Sequence, residues 1–177
     1  MRALAREPSL YDRDYYAWLV KQAAHIRARR FDQLDCEALA EELEDMGRSE
    51  RRAVESYLKN LLLHLLKWAM QPQHRSGSWR DSIDTARDAI GDLLQESPSL
   101  RPHLPEFVAR QYARARRSAA NQTGITEANF PTTCPFRLDE ILTPAFFPEA
   151  GEQKGRGPMQ PRRESPTKIR VPKKRAE

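Results

Sequence analysis

Apolar residues recur at helical spacing along most of the first 121 residues, and capping residues and prolines separate the recurrences. Side chains three and four positions apart lie on the same face of an α-helix, so this pattern predicts amphipathic helices. We predict five helices, approximately at 12–30, 36–46, 50–70, 79–96 and 102–121. No segment alternates between apolar and polar residues as a half-buried β-strand does, so the sequence predicts an all-α fold.

Capping residues set the predicted bounds of the central helices. Asp35 and Ser49 are suitable N-caps for the second and third helices, because their side chains accept hydrogen bonds from free backbone N–H groups. Gly47 is expected to end the second helix in a left-handed conformation. Ser78 is expected to cap the fourth helix, and Pro72 to stop the third.

The spacing also predicts which side chains face the core. The inward side chains of the first three helices are expected to be Tyr15, Trp18, Leu19, Ala23 and Ile26, then Leu39, Leu43 and Met46, then Val54, Tyr57, Leu58, Leu61, Leu62, Leu65, Leu66 and Ala69. Those of the last two are expected to be Trp79, Ile83, Ala86, Ile90 and Leu94, then Leu104, Phe107, Val108, Tyr112, Ala115 and Ala119.

The segment 125–148 differs from the helices, because it combines prolines with several aromatic residues. We interpret it as a clasp that lies over the bundle, with one short helix near Leu138–Leu142. Aromatic residues stop after Pro148, and 151–177 is rich in Lys, Arg and Pro, a composition typical of disorder. The sequence therefore predicts a single helical bundle of about five helices at 1–150, with a C-terminal clasp and a disordered basic tail at 151–177.

The net charge of +5 and the pI of about 9.4 favour nucleic-acid binding at first sight. However, 151–177 contains nine Lys or Arg residues and three Glu residues, so the tail carries +6 and the remainder carries −1. The predicted domain is thus close to neutral. Non-specific, salt-sensitive binding of nucleic acid through the tail remains a weak alternative.

Cysteine usage and hydropathy indicate a cytoplasmic protein. Cys36 and Cys134 fit no metal or redox spacing and are expected to be reduced thiols. The N-terminal residues contain no apolar core of a signal peptide. The most apolar stretch, 61–66, is far shorter than the ~20 residues of a membrane span, so no membrane association is expected.

Several polar residues lie on or beside the predicted apolar faces. His64 and Trp68 share a face of the third helix, where His64 is either a core-edge histidine bonded to a neighbour or a ligand. Glu41 points away from the Leu39/Leu43 face, whereas Glu42 and Glu44 flank it. These glutamates form either a solvated face or, for Glu42 or Glu44, a group that reaches the interior.

Arg87 falls inside the apolar face of the fourth helix. An isolated buried charge is very costly, so its guanidinium either reaches solvent or pairs with a carboxylate, for which Glu42 and Glu44 are candidates. Structural pairing is the first interpretation, and a site for an anion or substrate is the second.

No other motif indicates catalysis. Glu-x-x-His spacing is absent, as are a glycine-rich phosphate loop and a nucleophile elbow, so we predict no metal and no cofactor. Arg110, Arg114 and Arg117 form one row on the fifth helix, with Arg116 adjacent. The row is either solvated surface or an anion-binding site.

Five segments resemble the bacterial family known as domain of unknown function 29. They are YDRDYYAWL, LDCEALAEELEDMG, HLLKW at 64–68, SWRDSIDTARDAI at 78–90 and FPTTCPFRLDEIL, in order within 11–148. The resemblance implies an all-α bacterial cytosolic domain and supplies no activity. It also implies that the recurrent polar positions are Glu41, Glu42, Glu44, His64, Lys67 and Arg87.

The leading functional hypothesis is a helical protein-interaction or regulatory module without catalysis. The alternative is an enzyme or small-ligand-binding protein that uses a polar pocket of Glu42 or Glu44, His64 and Arg87. Nucleic-acid binding by the tail and the Arg110/Arg114/Arg117 row is a second alternative. Neither the oligomeric state nor the protein partner follows from the sequence.

Overall fold

A computed structural model describes residues 9–149, which form six α-helices joined by short 3₁₀ turns. No β-strand occurs within 9–149, so the predicted all-α class is confirmed. The helices are α1 (Leu10–Arg13), α2 (Tyr15–Arg27), α3 (Cys36–Met70), α4 (Gly77–Glu96), α5 (Leu104–Thr123) and α6 (Leu138–Leu142). The predicted tail at 151–177 lies outside the described residues.

The predicted first helix is in fact two helices that meet at Asp14. Ser9 begins α1 with a capping box, in which its hydroxyl and the Asp12 carboxylate bond to each other's backbone N–H. Asp14 leaves helical geometry, and its carboxylate accepts a hydrogen bond of 2.9 Å from the N–H of Ala17. Because Asp14 satisfies an N–H of the new first turn, it starts α2 instead of continuing α1.

The predicted second and third helices are one continuous helix, so the expected break at Gly47 and Ser49 is wrong. Asp35 does act as the expected cap, accepting from the N–H of Ala38 at 3.3 Å. Within the described residues, Gly124 is the only glycine with positive φ, so Gly47 does not adopt the left-handed cap conformation. Arg48 bonds to Glu44 and Asp45 across the glycine and supports the helix there.

The chain divides between Val54 and Glu55 into two compact units. The first unit contains α1, α2 and the beginning of α3, and the second contains the rest of α3 together with α4, α5 and α6. A single domain at 1–150 therefore stays a prediction. Helix α3 is continuous through the point of division.

The second unit contains a dense apolar core formed by α3, α4 and α5, as the periodicity predicts. Tyr57 and Trp79 are exceptions, because 39% of Tyr57 is exposed and Trp79 is only half-buried. Two polar bonds reach α5 from this part of the chain: Glu55 of α3 accepts from Gln111, and Gln71, directly after α3, donates to the carbonyl of Thr123. The buried side chains of the three helices in this unit include Leu58, Leu61, Leu62, Leu65, Leu66, Ala69, Ile83, Ala86, Ile90, Leu94, Leu104, Phe107, Val108, Tyr112, Ala115 and Ala119.

Two helix starts differ from the prediction by a few residues. Helix α4 begins after Ser76, whose hydroxyl accepts from the N–H of Trp79 at 3.4 Å, and not after Ser78. Helix α5 follows a 3₁₀ turn at Pro98–His103 and ends at Gly124, which has a φ of 71°. The left-handed conformation of Gly124 closes α5, because glycine adopts positive φ without steric cost.

The clasp at 125–148 is irregular, with the expected short helix at Leu138–Leu142 and an additional 3₁₀ turn at Glu127–Asn129. Phe130, Phe136 and Ile141 are buried, so the aromatic and aliphatic residues of the clasp fasten it to the second unit. The Tyr112 hydroxyl also donates to the carbonyl of Pro131 at 2.7 Å.

Candidate functional site

The polar residues singled out by the sequence belong to two different units. Glu41, Glu42 and Glu44 lie in the first unit, and His64, Lys67, Trp68 and Arg87 lie in the second. A shared pocket formed by both groups stays a prediction. The hydrogen bonds and ion pairs of each side chain within its own unit are described in turn.

Glu42 anchors two tyrosines within the first unit. Its Oε1 accepts from the Tyr11 hydroxyl at 2.5 Å, and its Oε2 accepts from the Tyr15 hydroxyl at 2.6 Å. The hydrogen bond to Glu42 raises the pKa of Tyr11 to about 12 and also raises the pKa of Tyr15. Both carboxylate oxygens are thus engaged in joining α1 and α2 to α3.

The neighbouring glutamates are more exposed than Glu42. Glu41 is exposed, and the Glu44 side chain is 72% exposed and pairs with Arg48 at 3.2 Å. Of the three, only Glu42 is half-buried, which fits the interpretation of a glutamate that turns inward.

Arg87 is buried, and its guanidinium donates to three carbonyl groups of the clasp. The distances are 3.0 Å to Ile141, 3.0 Å to Pro144 and 2.6 Å to Phe146. The Asp84 carboxylate also lies 3.8 Å from the guanidinium, on the same helix. The irregular clasp has carbonyls without regular partners, and the guanidinium satisfies them. Pairing with Glu42 or Glu44, which belong to the first unit, stays a prediction. Burial lowers the pKa of Arg87, against the influence of Asp84.

A second arginine, which the sequence pattern did not single out, holds the end of the clasp. Arg75 donates to the carbonyl of Trp68 at 3.0 Å and to that of Pro148 at 3.1 Å. The Phe147 ring lies 4.9 Å from that of Trp68, and the guanidinium of Arg87 lies 5.4 Å from the Phe147 ring. We call Arg75 and Arg87 the arginine clamp. No periodicity signals Arg75, because it lies in the connection between α3 and α4.

Lys67 is a buried cation that contacts the neutral side chains of Gln122 and Trp79. It is 8% exposed, its Nζ donates to Gln122 Oε1 at 2.9 Å, and it lies 4.4 Å from the centre of the Trp79 ring. Burial lowers its pKa. His64 is half-buried, with Nδ1 2.9 Å from the carbonyl oxygen of Asn60, and burial lowers its pKa as well. The contact of His64 matches a core-edge histidine bonded to its own helix.

The arginine row on α5 is partly neutralised. Arg110 pairs with Glu55 at 2.9 Å and with Glu106. Arg114 and Arg117 are exposed, while the adjacent Arg116 pairs with Glu127 at 2.7 Å. Anion binding by the row stays a prediction for Arg114 and Arg117, and Arg110 contributes less because two carboxylates compensate its charge.

The first unit has the opposite distribution of apolar side chains from the second. Among the hydrophobic side chains at 9–54, which the structure describes, only Trp18 and Val54 are buried. All exposed large hydrophobic side chains of the described residues except Tyr57 lie in this unit, and they are between 37% and 76% exposed. We call this set the apolar surface. It comprises Tyr15, Tyr16, Leu19, Val20, Ile26, Phe31, Leu43 and Met46.

The apolar surface corrects several predicted core positions. Leu43 and Met46 are 67% and 65% exposed, and Tyr15, Leu19 and Ile26 are also exposed, although the spacing predicts that they face inward. On α2 the buried residues are instead Trp18, Gln22 and His25, which share another face. Neither ring nitrogen of His25 has a hydrogen-bond partner within the described residues.

One of three comparisons with known proteins identifies a family. No curated protein and no solved structure matches the chain. Among the described residues, no helix has the length and hydropathy required to cross a membrane. Residues 10–147 match the family described as Domain of unknown function DUF29, and the chain therefore belongs to that family.

Proposed function

We propose that this protein is a non-catalytic helical interaction module that binds a protein partner through the apolar surface of its first unit. The observation that carries the proposal is the distribution of apolar side chains: exposed in the first unit and buried in the second. Scattered exposed hydrophobic residues are ordinary, whereas a contiguous apolar patch marks a protein-binding surface, and we propose that these residues form one.

Burial of this surface against a partner would contribute favourably to binding. Complete burial of a leucine-sized side chain contributes about 1.5–3 kcal/mol, and Leu43 and Met46 each keep about two thirds of their surface exposed. Aromatic side chains contribute disproportionately to protein interfaces, and Tyr16 is 76% exposed. These residues supply anchors for a partner.

The side chains that the alternative assigns to a ligand pocket include Glu42 and Arg87, and both already form hydrogen bonds within the fold. Glu42 accepts from two tyrosines, and Arg87 donates to three carbonyl groups. A ligand that used either group would have to replace these bonds. No contact of the described residues favours the enzyme or nucleic-acid alternative over the interaction module.

We place the module in the cytoplasm of a bacterial cell. Cys36 is exposed and Cys134 is half-buried, and both are free thiols. An exposed free thiol suits a reducing compartment. Fractionation of cells that express the tagged protein tests this location, and recovery from an oxidising compartment would contradict it.

Affinity capture after chemical cross-linking tests the function, with the recovered proteins identified by mass spectrometry. The test variant carries Val20→Gln, Leu43→Gln and Met46→Gln, and the control variant carries Tyr57→Gln in the second unit. All four side chains are exposed, so both variants are expected to keep their helical circular dichroism. We expect the test variant to lose the partners that the wild type and the control recover. Equal recovery by all three proteins would contradict the proposal.

A further inference from the structure

The first half of α3 contains a stretch that is exposed on all sides. Every residue from Leu43 to Glu50 is exposed, although the helix is continuous through this region. Helices in proteins gain most of their stability from packing against other elements, and isolated short helices are marginal in water. A helical stretch that is exposed all round is therefore well suited to pack against another helix.

The centre of this stretch is shaped for close contact. Leu43 and Met46 supply exposed apolar side chains, and Gly47 follows directly. Apart from its sequence neighbours and the backbone of its own helix, a Cβ atom at Gly47 would meet no atom within 4 Å, so the backbone is open to an approaching helix. Small residues let helix backbones approach each other closely.

The charges along α3 change sign at this centre. Glu37, Glu41, Glu42, Glu44 and Asp45 precede it with no Lys or Arg among them. Arg48, Arg51 and Arg52 follow it and outnumber the one acidic residue of 47–52, Glu50. If two copies of the helix run antiparallel, the acidic half of each lies beside the basic half of the other. If they run parallel, like charges lie side by side and repel each other.

We propose that the partner of this stretch is a second copy of the chain, which crosses α3 antiparallel about a two-fold axis near Met46 and Gly47. The inference rests on the proposed function, because it names one partner of the apolar surface. A two-fold interface uses the same surface on both copies, so the charges of the segment must complement those of the same segment running in the opposite direction. The charges of α3 on either side of Met46 and Gly47 meet this condition. The pairs of Arg48 with Glu44 and Asp45 are exposed, so exchanging them between copies costs little.

The interface must extend beyond α3. A standard stable interface buries roughly 800 Å² on each partner, which is more than two side chains supply. Tyr15 and Leu19 of α2 are also exposed, and the bond between Tyr15 and Glu42 holds this part of α2 beside α3 within the same unit. We therefore assign the contact to α3 together with α2.

Charge reversal with mixing tests the pairing. One variant carries Glu44→Lys and Asp45→Lys, which makes the stretch basic, and another carries Arg48→Glu and Arg52→Glu, which makes it acidic. We expect the 20.5 kDa wild-type chain to sediment as a dimer. Each variant alone should dissociate at least about tenfold more readily, because like charges then meet. An equimolar mixture should recover the dimer as a heterodimer.

Thiol cross-linking determines the orientation. An antiparallel crossing at Met46 separates the two Cys36 residues by about 30 Å, since each residue of helix rises 1.5 Å. We expect a Met46→Cys variant that lacks both native cysteines to form a disulfide dimer on mild oxidation, whereas a Cys134→Ser variant that keeps Cys36 does not. A cross-link through Cys36 would indicate parallel pairing and overturn the proposal.

The outcomes separate this inference from the proposed function. A monomeric wild-type chain overturns the self-pairing, as does a dimer that both charge-reversed variants keep. If capture of other proteins is still lost in the Val20/Leu43/Met46 variant, the proposed function stands without the self-pairing. Dimers that form only in the wild type and in the mixture support the self-pairing, whatever other proteins are captured.

Discussion

The arginine clamp gives the most direct test of how the clasp is held. Arg87→Met keeps a long apolar side chain but removes the donors to the carbonyls of Ile141, Pro144 and Phe146. The bond to Ile141 is buried, and an unsatisfied buried acceptor costs about 1–3 kcal/mol. The other two bonds are partly buried, so water replaces them at a smaller cost. The substitution also removes a buried charge, whose desolvation destabilises the folded protein, and this gain offsets part of the lost hydrogen-bond energy. We expect the free energy of unfolding to fall by about 2–4 kcal/mol.

Urea denaturation followed by circular dichroism measures this change, and thermal unfolding should show a Tm lower by roughly 4–16 °C. Arg80→Met is the matched control. Arg80 lies on the same helix, and its guanidinium is 5.1 Å from the same Phe147 ring, but its side chain is 63% exposed and its recorded partner is Asp84. We expect its stability to stay within about 0.5 kcal/mol of the wild type.

The local effect should appear in the clasp. Amide hydrogen exchange in Leu138–Leu142 is expected to become faster in Arg87→Met and to stay unchanged in Arg80→Met. Equal and near-zero changes in both variants would refute the reasoning, because they would mean that the carbonyl bonds of Arg87 contribute no net stability.

Three further predictions concern the first unit. Gly47→Ala should stabilise the protein by about 0.5–1 kcal/mol in thermal unfolding at low protein concentration, because Gly47 lies inside a helix with open space at its Cβ; an unchanged Tm would contradict this. His25→Leu should raise the Tm, because it removes two buried nitrogens without partners; a lower Tm would indicate that the ring is satisfied. The pKa of Tyr11 is raised to about 12, so the stabilisation from its bond to Glu42 is complete below pH ~10 and is lost as the pH rises towards 12. Melting curves measured over a series of pH values should therefore show a smaller loss of stability at alkaline pH for Tyr11→Phe than for the wild type. The same loss in both proteins would refute the assignment to Tyr11.

The second unit was largely predictable because several signals agree there. The apolar faces of α4 and α5 repeat over many residues, and the prolines around 131–148 exclude regular structure outside α6. The sequence places Arg87 among Ile83, Ile90 and Leu94 and leaves open whether its guanidinium reaches solvent; the structure shows that it is buried. Its partners did not follow, because backbone carbonyl groups have no residue type through which a sequence can indicate them.

The first unit was harder to predict, because its local signals compete. Gly47 and Ser49 form a typical end and start, yet interrupting a helix sacrifices backbone hydrogen bonds, while a glycine inside it costs only about 1 kcal/mol. Periodicity identifies an apolar face but does not say whether that face meets the same chain. This is why Leu43 and Met46 were expected in the core and are exposed.

The competing signals at Gly47 are consistent with its proposed position at a crossing of two helices. A residue chosen only for helix stability would be alanine, and one chosen for a core would be larger and apolar. Glycine at 47 forgoes both advantages and leaves the backbone open beside Leu43 and Met46. We therefore expect opposite effects of Gly47→Ala on two measurements: the monomer becomes more stable, and the dimer dissociates more readily. If the substitution strengthens both, the glycine has no role in association, and the crossing must lie elsewhere on α3.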